Sequence, residues 1–505
     1  MKNSIDKYQF LLSTLAKNHW RRIGIKRRAG VIVPLFSIYS QDSFGIGDIL
    51  DLKKLIDWCK LCGFSLLQFL PLNDTGFNFY PFSPQSFFAL DPMYLSLKKF
   101  GTKIDKKFRN SLYVDYNIKG EKLRIFWEIF SKSEWNNKKF EKFKNENIFW
   151  LKNYCLYRAL KQNFQEKSWE EWPEKFKYLD KKNIMIFQKK HFREIEFQAW
   201  LQWQMFEQFE EVKNYAQENK VFLIGDLPWL APFDSADVWA NSELFDLRYS
   251  AGAPPDAFSK KGQEWGAPLI KWEKVFKDNF LYFKERLKFA QNFYDLFRID
   301  HVLGIFRIWK VERNNLSKNK GLNGFFDPSD ENLWEEQGRK ILKEFIKSTK
   351  MLPIAEDLGT IPACCPKVLN ELGILGMKVQ RWAKHYPLNS IATLSTHDTS
   401  NWPVWFKKTY GRFPTKIEIE NNLKEVNSVD SIFSTNLIFE WLFLDEKIKN
   451  YQAYRINTPG TASKRNWRIR LPMSLEELLN WPKNQKIKEI IKKTNRLTMT
   501  MTMTN

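Results

Sequence analysis

Short runs of apolar residues recur along this chain, and polar or acidic residues follow most of them. Runs of this length are typical of strands that are buried on both faces, as in a parallel sheet covered by helices. The segments between the runs are long enough to hold helices, so the alternation predicts an α/β fold, a (β/α)8 TIM barrel. The strands are expected at residues 29–38, 64–72, 221–226, 297–301, 353–356, 377–382 and 392–397, with an eighth before 457–460.

Three stretches depart from this alternation within a single barrel domain of residues 1–505. Residues 102–215 carry long patterns of Lys, Glu, Phe and Trp with few Gly or Pro, which predict an inserted, mainly helical subdomain. Residues 251–266 hold three Gly and two Pro, so they predict a loop after a barrel strand, where binding groups collect. The repeated Thr-Met of residues 498–505 predicts a disordered tail.

Size and composition fit a barrel with insertions. The chain has 505 residues, 43% of them hydrophobic, and its 21 Trp and 43 Phe provide a large core. The net charge of +22 and the pI near 9.5 raise an anionic partner such as nucleic acid as an alternative. Lys is scattered among Glu, Asn and aromatic residues without a nucleic-acid-binding motif, so we expect a solvated basic surface and no nucleic-acid partner.

No segment predicts export or membrane insertion. Residues 1–20 lack the continuous apolar stretch of a signal peptide, and no apolar run approaches the length of a membrane span. We therefore expect a cytoplasmic protein without a membrane partner.

The five cysteines and five histidines do not predict a metal centre. The cysteines are odd in number and unevenly spaced, which does not suggest a disulfide framework. Cys59 and Cys62 have redox or zinc spacing, but no second Cys or His pair lies nearby, so packing within an amphipathic helix is favoured. Because no His pair has metal-ligand spacing, we expect no catalytic metal.

Three carboxylates, each just past an apolar run, are the candidate chemistry. Asp300, Glu356 and Asp398 stand at the carboxyl ends of expected strands, and such ends meet at one mouth of a barrel. Cleaving a glycosidic bond with retention needs one carboxylate as nucleophile and a second as acid and then base, and a third can stabilise the transition state. His397, Asp398 and Thr399 also form a polar cluster that suits vicinal sugar hydroxyls. The pattern points to a glycoside-cleaving site.

The residues around two of these acids suit different protonation states. Arg298 lies two positions before Asp300, so both side chains point to one face and the guanidinium would keep Asp300 ionised. Glu356 follows Ile354 and Ala355, and apolar surroundings raise a carboxyl pKa, as a general acid requires. Taken alone, a structural ion pair and a helix-capping carboxylate explain these residues equally well.

Nine motifs then occur in the order of a known family, and on them the sequence resembles the amylomaltases over roughly residues 28–472. Amylomaltases are 4-α-glucanotransferases, or disproportionating enzymes, related to the α-amylase superfamily. The motifs are SFGIGD (43–48), GDLP (225–228), PPD (254–256), GQEWG (262–266), FRIDH (297–301), AEDLG (355–359), GMKV (376–379), STHDT (395–399) and N-x-PG (457–460).

The resemblance implies a (β/α)8 barrel with helical insertions, without a C-terminal β-sandwich and without a metal or organic cofactor. It implies that Asp300 is the nucleophile, Glu356 the acid/base, and Asp398 the transition-state stabiliser that grips the 2- and 3-hydroxyls of the sugar. The supporting residues that it implies are Arg298, His397 and Asp226 around the acids, Asp256, Gln263 and Trp265 in a loop (251–266) covering the bound glucan, and Asn457 at its periphery.

The reaction implied by the resemblance is the transfer of α-1,4-glucan segments between maltooligosaccharides, or to glucose as acceptor. It would proceed with retention, by double displacement through a covalent glucosyl-enzyme intermediate. The alternative is an α-1,4-glucan hydrolase that uses the same three carboxylates. A catalytically idle glucan-binding protein is a further alternative, against which the complete set of acids argues.

Four positions differ from the family pattern. Family members often have Ser-Pro-Tyr where this chain has Tyr80, Pro81 and Phe82, an Asn where it has Asp91, and an aromatic residue where it has Ala257. Phe82 lacks a phenolic hydroxyl and Tyr80 replaces a small serine. The donor-side sugar contacts of the family are therefore not carried over to these two positions, nor its acceptor-side stacking to Ala257.

Overall fold

Eight parallel strands close into a barrel in the computed structural model, which describes residues 7–102, 107–109, 111–135, 137–255, 259–313 and 321–497. Four further strands form a second, antiparallel sheet. In chain order the strands are β1 (Arg28–Ile32), β2 (Leu66–Gln68), β3 (Phe222–Leu227), β4 (Phe245–Ala253), β5 (Gln263–Ile270), β6 (Leu296–Ile299), β7 (Ile308–Glu312), β8 (Phe325–Asp327), β9 (Leu352–Ala355), β10 (Leu375–Val379), β11 (Ser390–Thr393) and β12 (Phe433–Leu437).

Around the barrel the strand order is β1-β12-β11-β10-β9-β6-β3-β2, and β2 pairs with β1 to close it. This confirms the predicted α/β barrel. Six of the seven strands predicted with bounds end earlier than expected: β1 at Ile32, β2 at Gln68, β6 at Ile299, β9 at Ala355, β10 at Val379 and β11 at Thr393. At β10 the N–H groups of Trp382 and Ala383 bond back to the carbonyl of Val379 and form a turn. At β11 the next N–H, of Leu394, donates to the Asn436 side chain instead of extending the ladder.

The eighth barrel strand, β12, precedes Asn457 as expected, although a helix and a 3-10 segment separate the two. Its central residues, Ser434, Thr435 and Asn436, are polar and fully buried. The Asn436 side chain accepts the Leu394 N–H at 2.9 Å, which satisfies a polar group inside the barrel. The strand is thus held by hydrogen bonds as well as by apolar packing.

Helices cover the barrel and fill its insertions. They are α1 (Lys17–Ile23), α2 (Asp51–Cys62), α3 (Asn117–Lys132), α4 (Lys138–Glu146), α5 (Ile148–Asn163), α6 (Glu174–Lys177), α7 (Lys181–Lys190), α8 (Phe192–Glu218), α9 (Ala236–Ala240), α10 (Trp272–Lys277), α11 (Leu281–Ala290), α12 (Leu303–Phe306), α13 (Asn332–Lys347), α14 (Cys364–Leu372), α15 (Trp402–Tyr410), α16 (Lys416–Ser428), α17 (Ile438–Leu442), α18 (Leu475–Leu479) and α19 (Asn484–Lys493). Short 3-10 helices lie at Gln9–Ser13, Leu35–Ser37, Pro92–Tyr94, Lys98–Phe100, Lys107–Arg109, Trp169–Glu171, Ser242–Leu244 and Tyr451–Tyr454.

Local sequence explains several helix limits. Thr415 and Glu418 form a capping box that starts α16, because each side chain accepts a backbone N–H of the other residue. Helix α2 ends at Gly63, whose φ of +87° is accessible to glycine at little cost. Cys59 and Cys62 lie buried on α2 as free thiols, in agreement with their predicted packing role.

Helices α3 to α8 occupy the stretch between β2 and β3. A buried charge cluster joins this stretch to the segment after β2. The ammonium of Lys119, on α3, lies 2.7 Å from the carboxylate of Asp74 and 2.9 Å from that of Asp91. Asp91, which departs from the family pattern, is therefore a buried ion-pair partner and does not line the cleft described below.

The second sheet has the order β5-β4-β7-β8. It changes the interpretation of residues 251–266, which were expected to form a loop: the segment contains the end of β4 and the start of β5, which pair as a hairpin. Gly252 permits this pairing, since a Cβ there would lie 2.1 Å from the Gln263 carbonyl oxygen. The predicted Asp256 and Ala257 positions, and the tail 498–505, lie outside the described residues.

Across the described ranges, no helix combines the length and apolar character needed to cross a membrane. The residues described after β12 form helices, a 3-10 helix and irregular segments.

Candidate active site

A cleft of about 910 Å³ is lined in part by residues at or after the ends of the barrel strands. Parallel strands direct such residues to one mouth of the barrel. Eight of the ten predicted site residues line this cleft: Arg298, Asp300, Glu356, His397, Asp398, Asn457, Gln263 and Trp265. The ninth, Asp226, lies buried next to Arg298, and the tenth, Asp256, is outside the described residues.

Arg298 connects the acidic residues of the site. Its Nη1 donates to Asp226 at 2.7 Å and to Asp300 at 2.8 Å, and its Nη2 lies 3.9 Å from Glu356. The pairing of β6 with β3 places Arg298 directly opposite Asp226, and Asp300 follows two residues later on the same face. Burial opposes ionisation of the guanidinium, but the three carboxylates raise the pKa of Arg298, so it stays charged.

Asp226 is a buried acid whose second oxygen is unpaired. Burial, together with the charge of Asp300, raises its pKa to about 6 although Arg298 opposes this shift. Its Oδ1 accepts from Arg298, whereas Oδ2 has no hydrogen-bond partner among the described residues. Both acids accept a hydrogen bond from Arg298. Asp226 binds the guanidinium on its buried side, whereas Asp300 lines the cleft.

Glu356 is protonated at neutral pH, as a general acid must be. Burial is the largest cause that raises its pKa to about 8, and the charge of Asp300 adds to the shift, whereas Arg298 and a backbone N–H oppose it. That N–H belongs to His301 and donates to Oε2 at 2.8 Å. His301 has a φ of +45°, in the left-handed region that residues with a Cβ seldom adopt.

Asp357 faces away from the cleft and has a structural role, as the alternation of side chains along an extended segment leads one to expect. Its carboxylate accepts the Met377 N–H at 2.6 Å and pairs with Lys378 at 2.8 Å. Those contacts tie the end of β9 to β10. Glu356 therefore lines the cleft, whereas the adjacent Asp357 binds the neighbouring strand β10.

Asp398 belongs to a hydrogen-bonded unit with His397 and Asn457. The Asn457 amide donates to Asp398 Oδ1 at 2.6 Å, and His397 Nε2 lies 3.4 Å from Oδ2. Partial burial opposes ionisation, but His397 and Asn457 outweigh it and lower the pKa of Asp398 to about 2. The Asn457 N–H also donates to the His397 carbonyl at 3.1 Å, which fixes these segments to each other.

Aromatic rings form one wall of the cleft, made of Tyr80, Phe82, His397 and Trp467. Phe82 stacks on His397 with centroids 4.7 Å apart and planes at 21°. Trp467 lies 5.7 Å from Phe82 and 5.2 Å from Tyr80. Phe82, which lacks the hydroxyl often found at this family position, therefore packs on the histidine that contacts Asp398.

The β4–β5 hairpin provides another part of the cleft. The Trp265 indole N–H donates to Gln263 Oε1 at 3.1 Å, and the Trp265 ring meets the His301 ring edge-on at 4.8 Å. His301 in turn donates its backbone N–H to Glu356. The hairpin thus contacts the residue that holds the acid.

Sequence reasoning missed several lining residues. Trp229 follows β3 and donates its indole N–H to the His301 carbonyl at 3.3 Å, a position that barrel periodicity could have indicated. Trp467, Asn466 and Arg468 also line the cleft, but they follow no barrel strand and carry no motif. Only contacts between distant segments bring them here, such as the hydrogen bond from the Tyr116 hydroxyl to the Trp467 carbonyl.

Within the described part of the chain, no group of three or more His, Cys, Asp or Glu residues is arranged to hold a metal ion. Arg298 pairs with Asp226 and Asp300, burial keeps Glu356 protonated at neutral pH, and the Asn457 amide donates a hydrogen bond to Asp398. The arrangement places the carboxyl group of Asp300 and the protonated carboxyl of Glu356 beside a single guanidinium, and the carboxylate of Asp398 lines the same cleft.

Comparison with known sequences gives a consistent result. The profile of the family described as "4-alpha-glucanotransferase" matches residues 33–475. The chain is 35% identical to the 4-alpha-glucanotransferase of Chlamydia caviae, over 92% of this chain and 94% of that protein. It is 31% identical to the 4-alpha-glucanotransferase of Aquifex aeolicus, over 88% of this chain and 95% of that protein.

Solved structures share the fold. The amylomaltase from Streptococcus agalactiae in complex with acarbose superposes with a TM-score of 0.80 at 24% identity, over 94% of this chain and 100% of that chain. The amylomaltase from Corynebacterium glutamicum gives a TM-score of 0.74 at 19% identity, over 95% of this chain and 76% of that chain.

Proposed function

Because this chain belongs to the 4-alpha-glucanotransferase family and is an enzyme of that activity, we propose that it transfers α-1,4-glucan segments through a covalent intermediate. The donors are maltooligosaccharides, and the acceptors are other maltooligosaccharides or glucose. One observation carries the mechanism: Arg298 contacts Asp300 at 2.8 Å and lies 3.9 Å from Glu356, whose pKa is raised to about 8 by burial. Such a pair suits a nucleophile and an acid.

In the first half of the reaction, Glu356 donates its proton to the glycosidic oxygen and Asp300 attacks the anomeric carbon. The bond between the anomeric carbon and the oxygen breaks, and the shorter glucan leaves with a free 4-hydroxyl. Arg298 supports the attack because its hydrogen bond to Asp300 orients the carboxyl group. Glu356 is left deprotonated.

In the second half, Glu356 accepts the proton of the 4-hydroxyl of an incoming glucan or glucose. That oxygen attacks the anomeric carbon and displaces Asp300, so an α-1,4 bond forms with retained configuration. Each half-reaction inverts the anomeric centre once. The acid is protonated again at the end, which restores the starting state.

We assign to Asp398 the stabilisation of the transition state, and no covalent bond to the sugar. Its ionised carboxylate is oriented by Asn457 and His397, and it can accept hydrogen bonds from the 2- and 3-hydroxyls of the sugar while positive charge develops at the anomeric carbon. The low pKa, about 2, supports a residue that stays anionic throughout the cycle.

Transfer exceeds hydrolysis when an acceptor outcompetes water at the intermediate. The β4–β5 hairpin supports this because Trp265 contacts His301 beside Glu356 and lines the cleft. We assign to Gln263 and Trp265 the covering of bound glucan, and to Asn457 the orientation of Asp398.

Incubation with maltotriose tests the proposal. A ladder of longer maltooligosaccharides together with glucose is the expected product pattern. Formation of glucose and maltose without longer products would show that the activity is α-1,4-glucan hydrolysis and not transfer. Failure to react, with the protein folded by circular dichroism, would reject both.

A neutral polysaccharide is proposed as partner rather than nucleic acid, because lysine is scattered along the chain without a nucleic-acid-binding motif. Beside the catalytic acids, the charge of Arg298 is paired with Asp226 and Asp300. Retention on immobilised DNA that weakens steeply with salt would contradict this expectation.

A further inference from the structure

The exposed end of the aromatic wall is Tyr80, whose role no catalytic step above requires. It lines the cleft with 43% of its surface exposed, whereas Trp467 and His397 in the same wall are buried. Its ring meets Trp467 at 5.2 Å and Phe82 at 6.4 Å. Tyr80 is therefore the part of this wall that a ligand in the cleft meets first.

Tyr80 lines the same cleft as two of the three acids, Asp300 and Asp398. Burial of the ring in the cleft, and then the charges of Asp398 and Asp300, raise the pKa of Tyr80, so the hydroxyl stays protonated and can donate. Among the described residues, none forms a hydrogen bond with this hydroxyl, while the Tyr80 backbone N–H donates to Asn78 Oδ1 at 2.7 Å. The hydroxyl is available to a bound molecule.

The segment that carries Tyr80 is fixed before any ligand arrives. The Asn78 amide donates to the Ser83 carbonyl at 3.0 Å, and the Ser83 N–H donates to the Tyr80 carbonyl at 2.9 Å. Phe79 stacks on Tyr116 with centroids 4.1 Å apart and planes at 4°. A fixed ring loses little conformational freedom on binding, which favours its use as a contact.

We propose that Tyr80 is a substrate-binding residue that contacts the donor glucan. Its hydroxyl donates a hydrogen bond to the glucosyl unit held beside Asp398 and Asp300, and its ring packs against the apolar face of that chain. This inference rests on the proposed function, because it requires a glucan in the cleft. It assigns to Tyr80 a polar contact with substrate that Phe82, two residues later and stacked on His397, has no hydroxyl to make.

The test compares Tyr80→Phe with Tyr410→Phe in kcat/KM for maltotriose disproportionation. Tyr410 ends α15, is 62% exposed and does not line the cleft, so its variant controls for the loss of a phenolic hydroxyl elsewhere. Loss of one hydrogen bond predicts a fall of about three- to tenfold for Tyr80→Phe. Tyr410→Phe should match the wild type, and both variants should keep the wild-type unfolding midpoint.

A kcat/KM of Tyr80→Phe within about twofold of wild type overturns the hydroxyl contact. Tyr80→Ala removes the ring as well, so it should be less active than Tyr80→Phe; equal activity of the two would overturn the packing contact. If the wild type itself formed no product ladder, the proposed function would fail. A wild-type ladder with unaffected Tyr80 variants would remove only this inference.

Discussion

Arg298 is the residue on which the electrostatics of the site depend. It is buried, it makes hydrogen bonds to Asp226 and Asp300, and it approaches Glu356. One positive charge thus faces three acids in a region of low polarity. Burial raises the pKa of Glu356 to about 8, so this acid keeps its proton at neutral pH, while Arg298 donates a hydrogen bond to Asp300.

Replacing Asp300 by Asn should reduce kcat by about 10⁴-fold or more, because the amide cannot form the covalent intermediate. Glucan binding, measured by calorimetry with maltoheptaose, should stay close to the wild-type value. Asp246→Asn is the matched control, since Asp246 forms a surface pair with Arg248 outside the cleft. Turnover of Asp300→Asn within tenfold of wild type would disprove its role as nucleophile.

The raised pKa of Glu356 predicts an alkaline limit to activity. The acid must carry its proton in the first half-reaction, so kcat/KM for maltotriose should be flat below the pKa, about 8, and fall roughly tenfold per pH unit above it. A glucosyl fluoride donor provides the control, because fluoride leaves without protonation and the alkaline fall should disappear. The same fall with both donors would contradict the assignment of Glu356 as acid.

At the residue scale, the sequence predicts the functional residues that lie at the end of a strand. Arg298 and Asp300 could be paired because an extended strand places every second residue on one face, and the ion pair lies where this rule puts it. Trp467 could not be placed, because its position results from packing between segments far apart in the chain. Spacing along the sequence carries no signal for such contacts.

At the scale of elements, the β4–β5 hairpin differs most from expectation. Pro254, Pro255 and Gly262 favour turns, so the sequence pattern predicts a loop here. The end of β4 and the start of β5 on either side are too short to change that prediction. The hydrophobic pattern also does not locate strand β12, since its buried Ser434, Thr435 and Asn436 are polar. Their burial depends on hydrogen bonds inside the barrel, which a hydrophobicity pattern does not report.

The hairpin also yields a prediction about product ratio. Trp265→Ala removes the ring that meets His301 at 4.8 Å and opens the cleft to water, so the share of hydrolysis among maltotriose products should rise severalfold. Phe325→Ala, in β8 of the same sheet and 47% exposed away from the cleft lining, is the control. An unchanged ratio of glucose to longer products in Trp265→Ala would show that the hairpin does not protect the intermediate.

At the scale of the whole molecule, the Lys119 cluster couples the inserted helices to the barrel. Lys119→Met should lower the free energy of unfolding by about 3–5 kcal/mol, because Asp91 then remains buried without its cation and Asp74 keeps only Arg158, at 3.7 Å. Lys142→Met, which removes an exposed Lys from a surface pair on α4, should leave the urea midpoint unchanged. Similar midpoints for both variants would mean that the cluster contributes no net stability.

Closure of the barrel joins segments from opposite parts of the chain: β1 pairs with β12 along Arg28 to Ile32, and Arg496 donates to the carbonyls of Arg28 and Ile432. During synthesis, β1 therefore leaves the ribosome long before its neighbour exists. Its unpaired edge must wait for about 400 further residues, at some 5–20 residues per second, in a state open to association with other chains. The long delay between synthesis of β1 and of β12 is thus a period of tens of seconds in which the nascent chain is open to aggregation.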